Sequence, residues 1–360
     1  MKQFKKVSLV IISIAFFLIL EFSISPVKAQ VEEGKSKGET KPESAPIRMA
    51  VEFVDHAACA HIAKDKRWFA EEGIKLKFYD SYITGMALAS ALSRGDIDVA
   101  YICLIPALNA FANAKVPLRV IAGTHKYGYG LLVNPEKVRR VKDLARPDIR
   151  LGCSREGSPV DALLHKMIDQ YGLDEGKILR KVRRMPSPKL LLALKMGQLD
   201  AGLCCEQFPS MGEKMGFKIL LTAQDLWPDM QGSVVIAREE LIRKHPEIVA
   251  GIVKVTERAT RYIHDHPEEA ARIVSGELQA AGKEVLPLRV GKIADQLNIT
   301  PDIIKKSLMT RMICSTEIDP EQVQLTIDYL YKLGYIKKRF KAENILDLRF
   351  LYRPEEVSFQ

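Results

Sequence analysis

The chain has 360 residues, 47% hydrophobic and 28% charged, with a formal net charge of +9. That length exceeds what one core usually serves and fits two lobes of roughly 100–200 residues, while six cysteines in so long a chain are too sparse for a disulfide-held scaffold. The basic residues lack aromatic interleaving, which argues against a nucleic-acid surface, and the denser patch Arg180, Lys181, Arg183 and Arg184 reads as a solvated face.

The first element stands apart from the fold. Lys2, Lys5 and Lys6 precede the 14-residue apolar run Val7 to Leu20, and Val27-Lys28-Ala29 supplies small residues before a cut ahead of Gln30. This is the pattern of a cleaved secretory signal over 1–29. The run falls short of the roughly 20 residues of a spanning helix, so a retained anchor is the weaker alternative. No cysteine near the cut supports lipid attachment. Cleavage removes four lysines and one glutamate, leaving +6. Residues 30–46, rich in Glu, Lys, Gly and Ser, read as a flexible leader.

The strand IRMAVEF from Ile47 leads into Asp55-His56-Ala57-Ala58-Cys59 and then a helix through Trp68 and Phe69. Loops at the carboxyl ends of such strands face a ligand crevice, so Asp55, His56, Ala57, Ala58 and Cys59 are candidate contacts, with Asp55 equally suited to capping the helix. A second strand, IKLKFYD, ends at Ser81-Tyr82-Ile83-Thr84-Gly85, where Tyr82 and Thr84 are candidates and Gly85 permits close approach of the backbone. Gly95-Asp96-Ile97-Asp98 joins a helix to a strand at the far end of the sheet, so its aspartates read as structural. The strand VAYIC then ends at Leu104-Ile105-Pro106 on the crevice side, which adds Leu104.

The pattern then repeats. IRLG from Ile149 lies 102 positions after IRMA, and ALKMGQLDAG from Ala193 lies 102 after ALSRGDIDVA, so Gly197 falls on Gly95 and Asp200 on Asp98. Two matches at one offset indicate two lobes of similar α/β build with a cleft between them. In the second lobe, Cys153-Ser154-Arg155-Glu156-Gly157-Ser158-Pro159 enters the helix VDALLHKMI. Ser158 suits the cap and Pro159 the first turn, which leaves backbone N–H groups near Gly157 and Ser158 for an anion. The chain should cross between lobes at about Tyr127 to Leu131 and Leu226 to Val234. Trp227 in the second crossing can stack on a ligand or fill the hinge. Helices from Glu239 to Leu333 should rejoin the first lobe.

HIAKDKRWFAEEGIKLKF from His61, ALSRGDIDVAYICLIPALNAF, KDLARPDIRLGCSREGSPVDALL and HPEIVAGIVKVTERATRYIHDHPEEAARIV from His245 together resemble the periplasmic substrate-binding proteins of ABC importers for nitrate, sulfonates and taurine, with relatives resembling thiamine-pyrimidine proteins. The resemblance runs from about Ile47 to about Leu351. It implies an α/β, type II periplasmic binding fold with two hinge crossings and a helical last third. Lobe 1 would comprise 47–128 and 232–351, lobe 2 129–231, and 352–360 a tail. It further implies an exported, monomeric binding protein that captures a small anionic or zwitterionic solute in the periplasm and delivers it to permease and ATPase subunits, with no cofactor, no metal and no nucleic acid. Glu206 stands at the family's Glu, while Gln207 replaces the usual Pro and Cys204-Cys205 departs from the pattern, which puts the substrate in doubt. Glu206 could meet a cationic end of a ligand or hold the lobe interface.

Alternation at a strand end should turn one of Cys204 and Cys205 into the core and the other, taken as Cys205, toward the crevice, both as free thiols. Two other classes stay open. A thiamine-pyrimidine synthase-like enzyme would use its own His and Cys groups with iron, and His56, Cys59, His61, Cys204 and Cys205 could be assembled as ligands, although their spacing fits no metal motif. A solute-binding input to a sensor would use the same cleft.

Overall fold

The computed structural model describes residues 46–286 and 298–351; the expected signal, all of the leader except Pro46, and the tail lie outside them. Six strands, β1 (Ile47–Glu52), β2 (Leu76–Tyr82), β3 (Val99–Cys103), β4 (Leu118–Tyr127), β10 (Gln231–Arg238) and β11 (Met312–Cys314), form a sheet in the order β11-β4-β10-β3-β1-β2. A second sheet has the order β7-β6-β8-β5-β9, built from β5 (Tyr129–Val133), β6 (Leu151–Cys153), β7 (Val182–Arg184), β8 (Ala201–Cys205) and β9 (Lys218–Thr222). In each sheet the strand next to one edge pairs in parallel with both its neighbours, β1 with β2 and β3, β6 with β7 and β8.

The repeat is therefore structural. Moving 102 positions along the chain carries β3 onto β8 residue for residue, and helix α3 (Gly85–Arg94) onto α7 (Ser187–Lys195). Helix α1 (Ala58–Asp65) falls within α5 (Pro159–Tyr171). The same ion pair recurs at the same offset. Arg48 donates from its backbone N and Nε to Asp98 Oδ2, both at 2.9 Å, and Arg150 does so to Asp200 Oδ2 at 2.9 and 2.8 Å. Each clip ties the start of one strand, β1 or β6, to the turn that enters its parallel neighbour, β3 or β8.

Alternation along β1 explains its apolar composition: Met49 and Val51 join one core cluster with Trp68, Phe69 and Val253, while Ala50 joins the other with Leu88, Ile102 and Leu108. A sheet covered on both faces needs near-continuous apolar strands, as in VAYIC, which is buried throughout. Helix α11 (Pro246–Asp265) starts at a proline and buries Ile248, Val249, Ile252, Val253, Ala259 and Ile263 at helical spacing, packing on α1. Two local expectations change. The helix through Trp68 breaks into α1 and α2 (Trp68–Glu71) because Arg67 is left-handed, at φ 60°. Leu104 opens helix α4 (Leu104–Ala114) directly from β3 and is fully buried.

The first crossing runs from β4 to β5 through Gly128, at φ 82°, where an added Cβ would lie 2.8 Å from His56 Nε2 and 3.0 Å from Met312 Sδ. Only glycine fits there. His56 Nε2 bonds the Gly128 carbonyl at 2.9 Å, and its ring packs on His125 with centroids 4.3 Å apart. Burial, and then the His125 ring, hold His56 well below the usual histidine range. Beside it, the Asp55 N–H donates to Gln207 Oε1 at 3.0 Å, and Glu206 Oε2 accepts from Ser210 N at 3.3 Å. Burial raises the Asp55 carboxyl far above its usual range and the Glu206 carboxyl to about 7. The second crossing precedes β10, where buried Trp227 meets Tyr329 edge-on at 5.3 Å.

Two outcomes follow from these buried charges. Asp200 is 1% exposed and its carboxyl is held well below the usual range by Arg150, so its contribution is complete above about pH 4 and declines on acidification. Asp200→Ala is expected to lose about 1–2 kcal/mol in urea denaturation at pH 7, because its partners Arg150 and Lys137 are 37% and 47% exposed and stay solvated while the strand's N–H loses its acceptor; a loss below about 0.5 kcal/mol, the level of an ordinary surface substitution, contradicts the clip. Glu206 has the opposite sign. Its folded pKa of about 7 exceeds the ordinary 4.5, so stability is full below about pH 4.5 and falls as pH rises through 7, by at most about 1.4 kcal/mol per pH unit. Glu206→Gln should flatten that decline in thermal melts between pH 5 and 8, and unchanged profiles would contradict the assignment.

Candidate functional site

A cavity of about 460 Å³ opens where the carboxyl ends of strands from both sheets approach, a volume suited to a small solute. One wall comes from the ends of β1 and β3 and the start of α3: Glu52, Cys103, Thr84 and Gly85. The other comes from the segments after β6 and β7, the starts of α5 and α7, and the end of β8: Ser154, Arg155, Ser158, Arg184, Ser187 and Cys205. Phe208 is the single aromatic among its lining residues.

Glu52 is the buried charge of the first wall, 5% exposed. Its Oε1 accepts the Cys103 N–H at 2.6 Å and its Oε2 faces the Cys103 thiol at 3.4 Å. The Gly85 N–H also reaches the carboxylate, and burial pushes its pKa up to about 7. The Cys103 thiol in turn accepts from Tyr129 Oη at 3.3 Å. The polar contacts thus continue from the cavity toward the crossing, where Cys103 Sγ lies 3.7 Å from His56 Nδ1.

The second wall carries the cations. Arg184 donates to the Ser154 carbonyl at 2.9 Å and pairs with buried Asp161, keeping part of its guanidinium exposed. Arg155 is exposed at the cavity edge. Ser158 caps α5 by accepting from Asp161 N at 3.4 Å, and Gly157 N donates to Asp161 Oδ2 at 3.1 Å. The donors expected for a ligand at this helix start are therefore partly used by Asp161. Ser187 Oγ accepts the Cys205 N–H at 3.2 Å, and burial raises the Cys205 thiol far above its usual range.

Of the residues singled out from sequence, Thr84, Ser158 and Cys205 line this cavity. Asp55, His56, Ala57, Ala58, Cys59, Leu104 and Glu206 are buried in the core or at the crossing and are not among its lining residues; Leu104 is the residue at which α4 follows its strand directly. Tyr82 is the partly buried last residue of β2 and is not among the lining residues, and Trp227 is held in the hinge under Lys166, 4.5 Å above its ring. Gly157 faces a separate shallow surface pocket with Asn109 and Tyr335. Cys204 is fully buried while Cys205 reaches the cavity, and all six cysteines are unpaired. Among the described residues no three His, Cys, Asp or Glu side chains group as metal ligands would.

Glu52, Arg155, Arg184 and Ser187 did not emerge from sequence. The basic run is not a uniform solvated face: Arg184 turns into the cavity, and Lys181 donates to the carbonyls of Leu144 and Arg146. Contacts also bridge the lobes outside the cavity. Asn109 donates to the Gly157 carbonyl at 3.2 Å, Tyr335 donates to Asp161, and Glu213 pairs with Arg311 at 2.8 Å.

The comparisons with known proteins agree with this architecture. The structure matches the alkanesulfonate-binding protein SsuA of Xanthomonas axonopodis pv. citri, bound to MOPS, with a TM-score of 0.69 at 18% identity, covering 86% of this chain and 100% of that one. It matches the periplasmic nitrate-binding protein NrtA of Synechocystis PCC 6803 with a TM-score of 0.65 at 16% identity, covering 82% and 83%. In sequence, the chain is 26% identical to a putative aliphatic sulfonates-binding protein of Bacillus subtilis, over 82% of this chain and 84% of the relative. It is 22% identical to the taurine-binding periplasmic protein of Escherichia coli over 58% of this chain, a match that spans 64% of that relative's length. Residues 40–276 match the NMT1-like family model. The fold is that of the periplasmic binding proteins, and the chain belongs to the NMT1-like family.

Proposed function

We propose that this protein is an exported, monomeric solute-binding component of an ABC importer. In this reading it works in the periplasm, captures a small anionic or zwitterionic solute between its lobes, and hands it to permease and ATPase subunits. The observation that carries the reading is the 460 Å³ cavity at the carboxyl ends of strands from two sheets, walled by charged and hydroxyl side chains and flanked by two chain crossings. Ligand contacts to both walls would favour the closed arrangement over an open one, which is the thermodynamic requirement for capture and release by hinge motion. The names of the sulfonate-, taurine- and nitrate-binding relatives support an anionic group on the solute.

Arg155 and Arg184 would hold that group, with Ser154, Ser158 and Ser187 offering neutral donors. Asp55, His56 and Glu206 take a different part, holding the crossing about which the lobes would move.

A thermal-shift screen of the purified protein against alkanesulfonates, carboxylates, amino acids and nitrate tests the reading. A ligand present at about 100 times its Kd should stabilise the fold by about 2.7 kcal/mol and raise Tm visibly. Arg155→Ala is expected to weaken that ligand about tenfold, as loss of one charge-assisted contact would, with an unchanged Tm in its absence. No stabilisation by any solute would sink the proposal.

A further inference from the structure

The two walls of the cavity carry opposite charge, and the first wall is arranged unlike an anion site. Two helices, α3 and α4, begin there, and helix starts attract anions through unpaired N–H groups and the helix dipole. In this chain the protein's own carboxylate already occupies them. Glu52 accepts the N–H of Cys103, at the cap of α4, and the N–H of Gly85, the first residue of α3. Gly85 is the residue that permits this, because a Cβ there would collide with the Glu52 carboxylate and Pro106. At the equivalent position 102 residues on, the second lobe has the neutral Ser154. An anionic group on a ligand would meet repulsion at the first wall and attraction at the second.

No Lys or Arg among the described residues pairs with Glu52, and the groups beside it are the Cys103 thiol and backbone N–H groups. A carboxylate buried without a cation is costly, and its raised pKa of about 7 reflects that cost. A cationic partner entering the cavity would remove much of it.

We infer that Glu52 is the specificity-determining residue for a cationic nitrogen on the solute, so that the ligand is zwitterionic, its anionic group toward Arg155 and Arg184 and its ammonium toward Glu52. This rests on the proposed role of the cavity as a solute site and narrows the solute class within it. Polarity across the cavity also sets the ligand's orientation. A monovalent inorganic anion can satisfy one wall alone.

The test is calorimetric titration of the purified protein with matched pairs that differ by one amine: 2-aminoethanesulfonate against ethanesulfonate, 3-aminopropanesulfonate against propanesulfonate, and 4-aminobutanoate against butanoate, together with every solute that registers in the broad thermal screen. The expected result is that the ligands bound carry a cationic nitrogen, that an amine-bearing member binds about tenfold or more tightly than its amine-free partner, and that Glu52→Gln abolishes this preference. The comparison within the wild-type protein decides the matter even if the variant does not fold. Tight binding of a solute that lacks a cationic nitrogen, or equal affinity within the pairs, overturns the role of Glu52 and leaves solute binding intact. Absence of binding by any solute removes both.

Discussion

Each lobe is organised by one interaction, the grip of an arginine at the start of one parallel strand, β1 or β6, on an aspartate in the turn before the neighbouring parallel strand, β3 or β8. Arg48 with Asp98 and Arg150 with Asp200 use the same backbone and guanidinium donors. Because the aspartate accepts from the strand's own N–H as well as from its side chain, it fixes the alignment of the two strands. A one-residue slip would exchange the faces of the strand. With their amino ends fixed, β1 and β3, and likewise β6 and β8, deliver their carboxyl ends to one level, and the cavity forms where these two sets of ends meet.

The parts of this arrangement that a sequence reveals are those imposed by packing. A strand buried on both faces tolerates few residue types, and the glycine turn before Asp98 or Asp200 has few substitutes, so both survive in recognisable form at the 102-residue offset. Helix caps are local as well, and Thr84 and Ser158 could be read as helix-start residues that face the cleft. Glu52 could not be. At the end of IRMAVEF a polar residue looks like ordinary strand alternation, and its role depends on Cys103 and Gly85, which lie 51 residues away in one case and 33 in the other. Arg184 was hidden differently, in a run of basic residues whose members separate only when β7 turns one inward. The clearest available signal was Pro186-Ser187-Pro188, a helix start directly after that strand.

The crossing explains why residues that look like ligand contacts are placed elsewhere. Asp55, His56 and Glu206 follow strand ends, as ligand contacts do in such folds, but the His56 ring and the Glu206 N–H both bond the Gly128 carbonyl, and the Asp55 N–H bonds Gln207 beside them. A polar hinge core has a physical consequence. Charge added to it by a change of pH alters the stability of the folded state, while the cavity itself is reached through the separate chain of Cys103 and Glu52 contacts. Hinge and cavity therefore share a boundary at His56 and Cys103, 3.7 Å apart, which puts the proposed solute site directly against the segment that would move.

The central claim is that the space between the two walls is where a solute sits. The most direct measurement is a crystal structure of the protein grown with the tightest ligand found in solution. The account predicts ligand density between Glu52 on one side and Arg155 and Arg184 on the other, contacting both lobes. Density for the ligand on an outer surface, with the cavity holding only solvent, would contradict it.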